Sequence, residues 1–173
     1  MAIVKVKAGK GSLSDVFNYV LDREKTEAHL IAGKDCMTET AQKEFELTYI
    51  FISHDLSVVE HISDKVGVMY LGRMVEFAET EDLFAKPLHP YTEALLSAVP
   101  VADPTKQMER IPLEGEIPNP ANPPSGCFFH TRCRYCTEKC KECAPEYREL
   151  EPGHFVACHL AEELALRGFT YDE

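Results

Sequence analysis

Residues 51–76, FISHDLSVVEHISDKVGVMYLGRMVE, carry the pattern from which the fold is predicted. They continue the apolar run Leu47–Ser53, which is typical of a strand buried in a parallel sheet. Apolar residues then recur at helical spacing from Leu56 onward, which predicts a helix. Two further strand patterns flank Leu71-Gly72 and predict a hairpin. This order of strand, helix and hairpin favours an α/β fold.

The chain after this stretch alternates short helical patterns with proline-rich segments. Thr80 is predicted to cap a helix that ends at Pro87, and His89-Pro90 to open a helix that reaches Val99. Residues 100–124 are rich in proline and are predicted to be an extended connector. A final helix is predicted over Leu160–Arg167.

Composition limits the classes of function. The 173 residues can form one ordinary domain or two incomplete ones, and their formal net charge is −11. So acidic a chain is a poor candidate for general nucleic-acid binding, which needs clustered Lys and Arg. No apolar run approaches the roughly 20 residues that span a bilayer. We therefore expect a cytoplasmic protein that reaches a membrane only through a partner.

The stretch FISHDLSVVEHISDKVGVMYLGRMVE resembles the switch-histidine region of ABC ATPases. This resemblance implies that His54 contacts the γ-phosphate of ATP and the attacking water. Three later motifs resemble the oligopeptide/dipeptide transporter subgroup: KPLHPYTEALLSAVP, GEIPNPANPPSGCFFHTRC and EPGHFVACHL. The resemblance covers residues 43–160.

The resemblance implies a fold and a set of partners. Residues 46–100 would form an incomplete P-loop-type ABC nucleotide-binding lobe, and residues 101–173 an irregular extension rich in Cys and Pro. Intact relatives use ATP and Mg²⁺, pair with a second ATP-binding subunit, and drive permease subunits at the inner face of the cell membrane. They meet the peptide substrate only indirectly.

Phosphate binding in this family requires the string G-x-x-x-x-G-K-[ST], whose backbone amides hold the phosphates. The sequence contains neither this string nor the LSGGQ signature, nor a strand that ends in the Asp-Glu pair. His54 by itself supplies no phosphate cradle and no metal. We therefore expect the chain to be inactive as an ATPase on its own.

Residues 1–45 differ in character from the rest. Ala2–Val6 alternates apolar residues with lysine and predicts a strand, and a helix is predicted to run to Asp22. The segment MAIVKVKAGKGSLSDVFNYVLDREKTEAHLIAGKDC resembles the start of a plasmid mobilisation relaxase. This resemblance implies that Tyr19 is the nucleophile that attacks a DNA phosphodiester.

Two observations weigh against DNA as a partner. A relaxase needs a metal site of H-x-H type, whereas only His29 precedes His54 in this chain. The acidic charge also disfavours DNA. Two alternatives to a transporter subunit are thus a relaxase fragment that acts on DNA and a gene-fusion fragment without a function of its own.

Six cysteines lie between residues 127 and 158, and in a cytosolic chain such a cluster suggests a metal site before disulfides. Two C-x-x-C pairs, at 133/136 and 140/143, have a spacing that suits tetrahedral zinc. The transporter resemblance instead implies that Cys127, Cys133, Cys140 and Cys158 hold a 4Fe-4S cluster, since four thiolates suit either group. A third reading is a set of reduced thiols that pack a small lobe.

Overall fold

The computed structural model describes residues 2–6, 50–53, 56–99 and 110–169. They form helices around one antiparallel sheet of six strands, in the order β2-β1-β3-β4-β6-β5. The strands are β1 Ala2–Val6, β2 Ile50–Ser53, β3 Lys65–Tyr70, β4 Arg73–Glu79, β5 Arg148–Glu151 and β6 His154–Val156; the α-helices are α1 Leu56–Ile62, α2 Thr80–Ala85, α3 Pro90–Leu96 and α4 Glu138–Glu142; one turn of 3-10 helix covers His130–Arg132.

The hairpin of β3 and β4 is confirmed at the predicted turn. Tyr70 pairs with Arg73, which leaves Leu71 and Gly72 as the two turn residues. Both have positive φ, 47° at Leu71 and 78° at Gly72. A two-residue turn of type I′ requires this conformation, because its twist matches the twist of the flanking strands.

The strand before His54 differs from the prediction. Its described part, β2, lies at the edge of the sheet and pairs antiparallel with β1 rather than with parallel neighbours. The side chain of Ile52 is 46% exposed, so this strand is not buried on both faces. The physical reason is that β1 takes the place between β2 and β3 and hydrogen-bonds to both in antiparallel register.

The helices follow the predictions in part. Helices α1 and α3 are confirmed, although α3 ends at Leu96 rather than at Val99. Thr80 does not cap α2, because the N-cap is Glu79. The Thr80 hydroxyl instead donates a hydrogen bond of 2.8 Å to the carbonyl oxygen of Ser63 and ties α2 to the end of α1.

The predicted final helix over Leu160–Arg167 is wrong. This segment forms turns and then an irregular tail. The amides of Glu163 and Leu164 donate to the carbonyl oxygen of Leu160 and close the turns. Beyond them the tail bonds to other elements, since the amide of Phe169 donates to the carbonyl oxygen of Phe84 at 2.7 Å. Gly168 permits this approach, because a Cβ there would overlap the carbonyl group of Ala85.

The core is shared by both halves of the described chain. Phe129, from the cysteine-rich segment, is 2% exposed and packs its ring 5.2 Å from Tyr70 and from Tyr91, measured between centroids. Strand β6 also extends the same sheet by pairing with β4. The cysteine-rich segment thus packs directly onto the hairpin and α3, and the division of the chain at residue 100 stays a prediction.

The helices in the described part of the chain are short. None of them has the length and apolar character needed to cross a membrane.

Candidate functional site

The predicted site residues fall into two groups. Tyr19 and His54 lie outside the described residues, so their roles stay predictions. The cysteines from residue 127 to residue 158 are all described, and all are free thiols. The candidate site that can be built from the described residues is therefore the cysteine-rich segment and the side chains that hold it.

Four thiols from separate segments lie within electrostatic range of one another. Cys127 follows a loop, Cys133 ends the 3-10 turn, Cys140 lies in α4 and Cys158 follows β6. Each of the four interacts electrostatically with the other three. The amide of Cys127 also donates a hydrogen bond of 2.8 Å to the carbonyl oxygen of Cys140, which links two of the segments directly. We refer to these four residues as the thiol cluster.

Burial favours the neutral form of three thiols in the cluster. It raises the pKa of the Cys133 thiol to about 12 and that of Cys158 to about 11, and the neighbouring thiols add to both shifts. Burial likewise raises the pKa of Cys127. A low-dielectric site that already holds other sulfurs disfavours thiolate. Without a cation to compensate the charge, Cys127, Cys133 and Cys158 are neutral thiols at pH 7.

The thiol cluster does not have the spacing of a single-ion site. Among the described residues, no three His, Cys, Asp or Glu side chains form a group that could hold a metal ion. Four thiolates on one zinc ion would each lie about 2.3 Å from it. The C-x-x-C reading also needs Cys143, which is exposed and does not belong to the thiol cluster.

Cys136 lies beside the thiol cluster. Its sulfur lies 3.5 Å from the carbonyl oxygen of Thr137, and the Thr137 hydroxyl lies 3.3 Å from the sulfur of Cys140. Burial and the Cys140 thiol raise the pKa of Cys136. Both sulfurs thus contact Thr137, the residue that precedes α4.

The nearby histidines bond to oxygen atoms. His130 Nδ1 lies 2.8 Å from the carbonyl oxygen of Cys127, and His159 Nε2 lies 2.9 Å from that of Cys143. His154 Nε2 lies 2.8 Å from Glu76 Oε1. These contacts orient the backbone around the cysteines.

Glu76 is a buried carboxylate that the sequence analysis missed. It lies on β4, is fully buried, and accepts hydrogen bonds from the amides of Leu88 and His89 at 2.6 and 3.1 Å. With His154, it therefore joins β4, the start of α3 and β6. The signal in the sequence is an acidic residue inside the apolar run Val75–Ala78, which a purely structural strand would not contain.

Glu93 is a second buried carboxylate, on α3, and is 3% exposed. Its Oε2 accepts a hydrogen bond of 3.2 Å from the Tyr135 hydroxyl, and its Oε1 accepts one of 2.9 Å from the Arg167 amide. A buried charge is tolerated only when it is paired or hydrogen-bonded. The two donors come from segments 42 and 74 residues further along the chain, so local sequence patterns could not show them.

His89 fixes the start of α3. Its Nδ1 accepts a hydrogen bond of 3.0 Å from the amide of Tyr91, so the proton of the neutral ring is on Nε2. The imidazole is 1% exposed, and burial lowers its pKa to about 3. A side chain that accepts from the first turn is an ordinary N-cap, although histidine is an uncommon choice.

This arrangement, with PYTEALL on α3 and two of the cysteines packed against the same core, has known relatives. Residues 75–140 match the family described as oligopeptide/dipeptide transporter, C-terminal region. The family model thus covers the hairpin strand β4, helix α3, the connector and most of the thiol cluster.

Individual proteins of similar sequence are also named for peptide transport and ATP binding. The chain is similar to the oligopeptide transport ATP-binding protein AppF of Bacillus subtilis, with 60% identity over 126 residues, 72% of this chain and 38% of AppF. It is 58% identical over 121 residues to YkfD of Bacillus subtilis, which is named for oligopeptide transport and ATP binding; the match covers 69% of this chain and 37% of YkfD. A Brucella ovis protein named for peptide import and ATP binding is 57% identical over 117 residues, 68% of this chain and 37% of that protein.

The chain spans less than two fifths of the length of these relatives. The family that matches residues 75–140 is described as a C-terminal region. None of these comparisons supports the resemblance of residues 1–45 to a relaxase.

Proposed function

We propose that this chain contributes the C-terminal region of an ATP-binding subunit in an ABC transporter that imports oligopeptides or dipeptides. The observation that carries the proposal is the 60% identity to AppF over 126 residues. It is supported by the family match over residues 75–140. Identity this high over a folded region supports the same fold.

A domain exchange tests the proposal. Residues 56–169 of this chain replace the matching C-terminal part of AppF, and the chimera is expressed in cells that lack AppF. We expect ATP-dependent uptake of a radiolabelled oligopeptide to be restored. A matched control carries Glu76→Ala in the chimera, which removes the acceptor that joins β4, α3 and β6.

The control separates misfolding from lack of function. A chimera that accumulates at the level of AppF, pairs with the permease, and still supports no uptake would overturn the proposal. Equal uptake by the chimera and its Glu76→Ala variant would show that the contacts of Glu76 are not needed for transport.

The proposal assigns partners and a location. The assembled relatives would place the chain at the inner face of the cell membrane, against permease subunits and a second ATP-binding subunit. His54 would contact the γ-phosphate of ATP there. Mg²⁺ and the phosphate cradle would have to come from segments that these 173 residues do not contain.

The thiol cluster is the proposed site of a 4Fe-4S cluster, with Cys127, Cys133, Cys140 and Cys158 as ligands. The donor set supports this, because four thiols from four segments interact with one another electrostatically and four thiolates suit such a cluster. When bound, the iron–sulfur group would cross-link these segments through bonds to iron. The protein's part is to bring the four sulfurs together, with Cys140 buried and the other three partly buried.

A further inference from the structure

Helix α3 carries a buried carboxylate at the point where the cysteine-rich segment and the chain's tail both meet it. We propose that Glu93 is a positioning residue, which ties the loop Cys133–Cys136 and the tail at Arg167 to α3. Through this loop, Glu93 sets the place of the Cys133 thiol in the thiol cluster.

The two carboxylate oxygens of Glu93 accept hydrogen bonds from two different segments. Oε2 accepts from the Tyr135 hydroxyl at 3.2 Å, and Oε1 accepts from the Arg167 amide at 2.9 Å. With 3% of the residue exposed, water cannot replace either donor without local opening. One side chain thus holds two segments that the chain itself keeps far apart.

Arg134 compensates the charge of the Glu93 carboxylate indirectly, through the Tyr135 hydroxyl. Its guanidinium lies 4.7 Å from the centre of the Tyr135 ring and donates a hydrogen bond of 2.6 Å to the Tyr135 hydroxyl. That hydroxyl in turn donates to Glu93. A hydroxyl that accepts from a cation is a stronger donor, because hydrogen bonds in a chain polarise one another. The contact of Tyr135 with Glu93 therefore depends on the Tyr135 hydroxyl and on the Glu93 carboxylate.

The position of Tyr135 makes this contact relevant to the thiols. It lies between Cys133 and Cys136, in a turn closed by a hydrogen bond of 3.1 Å from the Cys136 amide to the Cys133 carbonyl oxygen. A short closed turn moves as one body. Anchoring Tyr135 to α3 therefore anchors Cys133, which interacts electrostatically with the other three thiols.

Helix α3 can fix the position of this loop because the residues before its first turn are themselves fixed by hydrogen bonds. Glu76 accepts from the amides of Leu88 and His89, just before α3, and binds His154 in β6. Strand β6 leads directly to Cys158. The two buried carboxylates thus link Cys133 and Cys158 to the same helix. Glu93 does so through Tyr135, and Glu76 does so through His154.

This inference does not rest on the proposed transport function, and it holds whether or not the thiols bind iron. It is tested on the full chain, purified under anaerobic reducing conditions. The readout is the rate at which iodoacetamide alkylates each cysteine, resolved by peptide mass spectrometry. Hydrogen–deuterium exchange at the Arg167 amide is measured on the same samples.

Two variants isolate the contact. Tyr135→Phe removes only the hydroxyl, and Glu93→Gln leaves one acceptor oxygen for two donors. We expect both to speed alkylation of Cys133 about tenfold, and to leave Cys158 within about twofold, since one hydrogen bond to a charged group limits local opening. Only Glu93→Gln should speed exchange at Arg167. Tyr147→Phe makes the same chemical change at a 42%-exposed tyrosine of the same segment and should change neither rate.

The outcomes separate positioning from general stability. An unchanged Cys133 rate in both variants overturns the proposal. A parallel rise at all four thiols also overturns it, because this pattern reports loss of the whole fold rather than release of one loop. Selective release of Cys133 by Tyr135→Phe supports it even if Glu93→Gln does not fold.

Discussion

Burial keeps the imidazole of His89 neutral, and this has a consequence for pH. The pKa of His89 is lowered by burial from 6.5 to about 3 in the folded chain. Below pH 6.5, His89 therefore binds a proton in the unfolded chain but stays neutral in the folded chain until the pH approaches 3. Stability from this residue is complete above about pH 7 and is lost as the pH falls from 6.5 toward 3.

Replacing His89 by asparagine removes this titration and keeps an N-cap acceptor for the Tyr91 amide. We expect the wild-type chain to lose about 2 kcal/mol more stability than His89→Asn between pH 8 and pH 5. Urea unfolding at the two pH values measures the difference. Parallel pH dependence in the two proteins would show that His89 is protonated in the folded state.

A second prediction at the scale of residues concerns iron binding by the thiol cluster. After anaerobic reconstitution with iron and sulfide, we expect Cys127→Ser and Cys158→Ser to lose bound iron and the absorbance near ~400 nm that goes with it. Cys143→Ser is the matched control and should retain both, since this exposed thiol lies outside the thiol cluster. The opposite pattern, with a zinc content of about one per chain, would favour the C-x-x-C pairs instead.

At the scale of elements, the loop before the thiol cluster is held against α4 by close backbone contact. Gly126 has φ +65°, and a Cβ there would overlap the Cys140 carbonyl oxygen and lie 2.7 Å from that of Lys141. Gly72, in the hairpin turn, has φ +78° and no atom within 4 Å of such a Cβ. The two glycines thus share a backbone conformation and differ in their surroundings.

This difference separates strain from steric overlap. Gly72→Ala should cost about 1 kcal/mol from the left-handed conformation alone. Gly126→Ala should cost about 3 kcal/mol, because the overlap adds to the strain and breaks the hydrogen bond from the Cys127 amide to Cys140. Urea unfolding of both variants compares the costs. Equal costs would mean that the loop can move away from α4 freely.

At the scale of the whole molecule, nucleotide binding is limited by what the 173 residues contain. They include His54, in a stretch that resembles the switch-histidine region of ABC ATPases, but no G-x-x-x-x-G-K-[ST] string. We expect the isolated chain to show no saturable binding of a fluorescent ATP analogue with Mg²⁺, whereas AppF measured alongside should bind it. Micromolar affinity that is lost in His54→Ala would contradict this prediction.

The sequence by itself determined the elements whose causes lie within a few residues. The hairpin follows from Leu71-Gly72 between two strand patterns, and α1 from apolar residues at helical spacing. The start of α3 follows from His89-Pro90, since proline suits the first helical position. The four cysteines of the thiol cluster were also identifiable, although only through motifs and not through their contacts.

Tertiary structure decided everything that joins distant segments. Only the fold pairs β1 with β2, extends the sheet from β4 to β6, and lets the tail from Leu160 run irregularly over α2. Glu76 meets His154 across 78 residues, and Glu93 meets Arg167 across 74. Periodicity reports which face of an element is apolar, but it carries no information on which distant donor will satisfy a buried carboxylate. That choice is made when the chain packs, because a buried charge without a partner would cost too much to keep.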